Sequence, residues 1–85
     1  MAQSILRLRP WDEACGVLQH VIEDEPITFL DFGKFRVQIS STEIVSIREQ
    51  LKKMIGKRIS ILKTDIHDEP ILMRIVEDEQ MIAGQ

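Results

Sequence analysis

Between residues 40 and 58 the apolar positions keep a helical rhythm. Ile44, Ile47, Leu51, Met54 and Ile55 recur at steps of 3, 4, 3 and 1, which puts them on one face of a 3.6-residue period and predicts a helix over 41–55. Ser40 and Glu43 have the S-x-x-E spacing of a capping box, in which each side chain satisfies a backbone N–H that the first turn leaves unpaired. Gly56 follows directly and can take the left-handed conformation that closes a helix.

The flanking segments alternate with the period of half-buried strands. Phe35, Val37 and Ile39 alternate with Lys34, Arg36 and Gln38. With 27–30 before them and Asp31-Phe32-Gly33 between, the two runs read as a hairpin whose turn uses positive φ at Gly33. Residues 58–64 and 71–77 read as a second hairpin. Ile59 and Ile61 share one face, as do Ile71, Met73 and Ile75, whereas Leu62, Leu72 and Val76 point the opposite way. Strands apolar on part of both faces fit a strongly curled or closed sheet, or a sheet partly covered by a partner.

Residues 1–9 read as a short edge strand or a loose arm that stops at Pro10. Residues 11–25 admit two readings. As a helix, Trp11, Ala14, Cys15, Leu18, Val21 and Ile22 make one stripe, Pro10 is the first residue, and Asp12 and Glu13 face the positive helix end. Gly16 opposes this by about 1 kcal/mol, as do the β-branched Val17, Val21 and Ile22. As a strand over 17–23, Leu18, His20 and Ile22 lie opposite Val17, Gln19 and Val21, and the chain turns at Asp24-Glu25-Pro26. The strand is preferred. The order is then βββαββ: an α+β chain, mostly antiparallel β, forming a small curled sheet or an OB/SH3-like barrel with one main helix. The helical reading gives αββαββ. Residues 1–80 make a single domain, with 81–85 a frayed tail anchored only through Met81 and Ile82.

At 44% hydrophobic and 29% charged, the 85 residues have the composition of a globular domain. A single cysteine, Cys15, excludes an internal disulfide and a cysteine-based zinc site and suits a reducing compartment. Arg7, Arg9 and Pro10 interrupt any signal-like apolar run, and no 18 consecutive residues are apolar. The expectation is a cytoplasmic protein without a membrane partner. The net charge of −3 speaks against a general nucleic-acid coat. Yet Arg48, Lys52, Lys53, Lys57 and Arg58 stand against one acid, Glu49, so this window carries +4 and the rest of the chain −7.

That basic window is the main candidate for binding phosphate or an acidic partner. Trp11 and Phe32 are the candidate stacking residues, and Lys34 and Arg36 would extend the patch. The plainer role of the same cations is to complement the negative end of the helix, with Glu49 pairing Lys53. Asp31-Phe32-Gly33 spells a magnesium-holding tripeptide of protein kinases. Without a glycine-rich loop or catalytic loop, in 85 residues, it reads as a turn. Asp65, His67, Asp68 and Glu69 match neither an EF-hand nor a zinc spacing, so they read as a solvated loop with Asp65 bonding its own backbone, and no metal site is predicted. Cys15, taken as partly buried, and His20, taken as surface, are five residues apart, which is neither helical contact spacing nor the same strand face. No catalytic residue, cofactor or small-molecule substrate is therefore expected.

The reading that remains is a non-enzymatic binding domain for protein–protein interaction or self-association. It would use an unpaired strand edge near the C-terminus, or the acidic run Glu77-Asp78-Glu79 against a neighbour's basic helix end. Against this, Lys63 and Arg74 are placed to blunt the edge. The alternative is a nucleic-acid-binding module built on the basic end of the central helix.

Overall fold

The structure, a computed structural model, describes residues 3–76. The strands are β1 (Ser4–Arg7), β2 (Glu13–Val17), β3 (His20–Asp24), β4 (Ile27–Asp31), β5 (Phe35–Ser40), β6 (Arg58–Lys63) and β7 (Ile71–Ile75). A 3-10 stretch, Ser41–Ile47, runs directly into α1 (Arg48–Lys53). One sheet has the order β1-β5-β4-β3 and the other β2-β6-β7. Among the described strands only β1 and β5 pair in parallel. The chain is thus a small α+β domain of curled, mostly antiparallel sheet with one helical segment. Its strands do not close into a barrel, and more strands form than the five expected.

Residues 13–17 and 20–24 are strands, and the helical alternative for 11–25 falls. The strand begins at Glu13, earlier than expected, and bends at Leu18-Gln19. Consecutive N–H groups of a strand point to opposite sides, and the bend uses both. The Leu18 N–H donates to Lys57 O at 3.0 Å and the Gln19 N–H to Asp31 O at 2.7 Å. β2 and β3 are therefore one bent strand, paired with β6 through its first half and with β4 through its second. Such a corner lets a strand pass from one sheet to another. It joins the two sheets into one curled ribbon whose ends are β1 and β7. Gly16 permits the tight curl: a Cβ there would stand 3.3 Å from the Phe32 ring.

The helical segment covers the open end of this ribbon. Ile44 and Leu51 are fully buried, and Ile47 and Met54 pack against the same core as Leu18, Leu30, Val37, Ile59 and Ile61. Three expectations need correction. The first seven residues are 3-10 rather than α, in a stretch rich in β-branched Thr42, Ile44, Val45 and Ile47. The capping box does not form, because Ser40 Oγ bonds Thr42 Oγ1 and Glu43 turns to Lys63. Ser41 instead pins the start: its N–H donates to Pro26 O at 2.9 Å and its hydroxyl bonds that of buried Thr28 at 2.8 Å. Finally, Ile55 is 47% exposed. It lies beyond the cap residue Met54, where Gly56, at φ +94°, turns the chain away and donates its N–H to Leu18 O. The proposed frayed tail lies outside the described residues.

The two ends of the apolar stripe therefore differ in energetic weight. Leu51→Ala should lower the unfolding free energy by about 2–5 kcal/mol, and Ile55→Ala by less than about 1 kcal/mol, as read from urea denaturation. Equal losses would contradict this packing.

Candidate binding edge

The basic residues do not form one free patch. Arg48 Nε stands 3.0 Å from Glu23 Oε2 and its Nη2 3.7 Å from Glu25 Oε2, while Lys52 Nζ is 3.8 Å from Glu23 Oε1. The positive end of α1 thus leans on the acidic β3–β4 turn. Lys53, Lys57 and Arg58 are exposed beyond it. Trp11 is 55% exposed, with φ +72°, but its N–H donates to Lys63 O. It sits at the far end of β6 from Arg58, a strand length of about 17 Å away, so the stacking candidate and the cations are not brought together.

Phe32 is not a solvent-facing stacker: it is 5% exposed and stacks on Phe35 with ring centroids 5.1 Å apart. The turn itself sends it inward. Asp31 Oδ1 accepts the Gly33 N–H at 2.7 Å, and the Phe32 N–H donates to Phe35 O. That leaves Gly33, at φ +91°, and exposed Lys34 at the tip. Arg36 Nε lies 3.7 Å from Asp31 Oδ2. Asp31 is buried and also accepts from Gln3 Nε2 at 2.9 Å. The Gly33 hydrogen bond is the largest influence holding its carboxyl below the ordinary value of 3.8. Burial opposes it; Gln3, Arg36 and His20 assist.

The loop after β6 is tied by a residue that sequence reasoning passed over. Buried Thr64, not Asp65, accepts the Ile66 N–H at 3.1 Å and donates to Glu69 O. Among the described residues no three His, Cys, Asp or Glu side chains converge as metal ligands. Cys15 is exposed rather than partly buried, because it faces outward opposite Ser60 while its neighbour Ala14 faces the core. His20 is exposed as expected.

The β7 edge is better formed. The Val76 N–H donates to Arg58 O and the Thr64 N–H to Pro70 O. With the register Ser60↔Arg74 and Leu62↔Leu72, these fix the hydrogen-bonded pairs of the ladder. The N–H and C=O groups of Ile71, Met73 and Ile75 consequently point away from β6, and no described strand takes them up. Leu72 is 39% and Ile75 47% exposed. A depression flanks the strand on each face. On the outer face Leu62, Leu72, Ser60, Glu13 and Arg74 line about 560 Å³. On the inner face Gln50 and Met54 of the helical segment stand across from Met73 and Ile75, around about 340 Å³.

Of the residues expected to blunt this edge, Lys63 is drawn away and Arg74 stays largely exposed. Lys63 is held by Glu43, and Arg74 leans back over its own sheet to within 3.9 Å of Glu13. The run Glu77-Asp78-Glu79 lies outside the described residues. The apolar residues on both faces of 71–76 were the sequence signal for the edge. Glu13, Gln50 and Met54 join it only through the fold. No family model matches the chain, and no match to it emerges among curated proteins or solved structures.

Asp31 gives the turn a pH signature. Its carboxyl titrates lower in the folded state, so its contribution is fully present above the ordinary value of 3.8 and disappears as pH falls through the lower folded value. The stability difference between wild type and Asp31→Asn should be widest at neutral pH and shrink below about pH 4. Urea denaturation across pH 2–7 measures it, and a gap that does not narrow on acidification below about pH 4 would contradict the assignment.

Proposed function

We propose that this chain is a protein-binding module that receives an extended segment of its partner as an added strand on β7, without catalysis. The supporting observation is that a strand edge taken up by no described strand has a depression on each side of it. In strand addition the main-chain hydrogen bonds supply affinity, and pockets for alternate side chains supply selectivity. An added strand sends successive side chains to opposite faces. One set would enter the apolar gap between Met54 and Met73. The other would lie over Leu72 and Leu62, with Glu13 and Arg74 at hand. The cations Arg48 and Lys52, already engaged by Glu23 and Glu25, leave the nucleic-acid alternative with less of its patch than the sequence promised.

Selection of linear peptides from a displayed random library is the direct test. Enriched peptides should alternate apolar residues and shift the amide resonances of Ile71, Met73 and Ile75. Met73→Pro removes one outward N–H and no β6–β7 hydrogen bond, so it should abolish binding; Met73→Leu should retain it. Ile75→Glu, at an exposed position, serves as a second blocking variant. Peptides that bind Met73→Pro and Ile75→Glu as well as wild type, or shift amides elsewhere, would refute the proposal.

A further inference from the structure

We infer that the strand added to β7 is β7 of a second copy, antiparallel and centred on Met73; this rests on the edge reading above. Only residues of the same parity can exchange the free hydrogen bonds, because Ile71, Met73 and Ile75 alone present outward backbone groups. Among the registers this allows, centring on Met73 pairs Ile71 with Ile75 of the second copy and uses the full length of the strand, Ile71–Ile75. Centring on Arg74 would set two guanidinium groups face to face. Centring on Leu72 would leave Ile75 unpaired.

Charge accords with the same register. Across the outer face of one copy, Glu13, Leu62 and Leu72 stand in a single row. Pairing about Met73 continues that row with Arg74 of the second copy. The aliphatic stem of this arginine lies over Leu72, and its guanidinium points along the row toward Glu13, three strand positions (about 14 Å, backbone to backbone) away across the outer depression. The contact is reciprocal, as a two-fold interface requires. On the inner face the row becomes Ile71, Met73 and Ile75 against Ile75, Met73 and Ile71, which covers the exposed Ile75. Five paired residues are a small interface, so the dimer is a weak, concentration-dependent one.

Sedimentation equilibrium from micromolar to near-millimolar chain tests this. Wild type should approach twice the 9.8 kDa of one chain. Glu13→Arg and Arg74→Glu should each weaken association by about tenfold or more, since like charges then meet across the interface. Mixing these two variants should restore it as a one-to-one heterodimer. Within each variant the intrachain pair is still broken, so recovery on mixing reports only the contact between copies. In wild type, amide exchange at Ile71, Met73 and Ile75 should slow as concentration rises, a readout independent of any variant. A dimer that mixing does not restore, or one whose edge amides are unaffected by concentration, overturns the inference. So does a monomer at every concentration. If that monomer still takes library peptides on the β7 amides, the edge reading stands alone; if it takes none, both fall.

Discussion

Two adjacent peptide N–H groups, those of Leu18 and Gln19, hold this fold in its curled form. One bonds to Lys57, just before β6, and the other to Asp31 at the end of β4, so a single strand belongs to both sheets. Leu18 has no exposed surface at this corner, and its carbonyl also receives the Gly56 N–H from the loop that leaves the helix. Burial of an apolar side chain and satisfaction of both backbone groups thus coincide at one residue. Without the corner, the chain would be two separate sheets, each with a bare apolar face.

The corner also determines which edges are covered. The Phe32–Phe35 turn packs beside β2, where Gly16 leaves room for the ring. The helical segment lies beside β3, with Arg48 and Lys52 reaching Glu23. The ends of the ribbon remain, and among the described residues β7 is an end with a recess on either side. Lys63 and Arg74 turn to acids on their own helical segment and sheet, so the strand keeps apolar side chains together with backbone groups that no described strand takes up. Natural edges usually avoid that combination, which is why the edge reads as a place of contact.

Both hairpins and the helical segment were legible in the sequence, because strand alternation and helical spacing report directly which side of an element is buried. Gly33 and Gly56 marked their turns correctly. The bend was not legible. Leu18 and Val21 both pack inward, which breaks a two-residue alternation and imitates a helical stripe. The failed capping box has a similar cause: Glu43 finds Lys63, a tertiary partner twenty residues away, and no local pattern foretells that. Phe32 was misplaced because turn residues are presumed exposed, whereas the Asp31–Gly33 hydrogen bond tilts its ring into the core. Of the binding edge, only the two-sided apolar pattern of β7 was visible. Glu13 and Met54 reach it through pairings made at a distance.

Native-state hydrogen exchange at the corner tests the shared-strand account most directly. Amides whose bonds break only with the whole structure exchange at the free energy of global unfolding. The amides of Leu18, Gln19 and Gly56 are predicted to fall in that class, together with the slowest amides of β4 and β6. If they exchange through a low-energy local opening while β4 and β6 stay protected, the two sheets hold together without the bend, and the account is wrong.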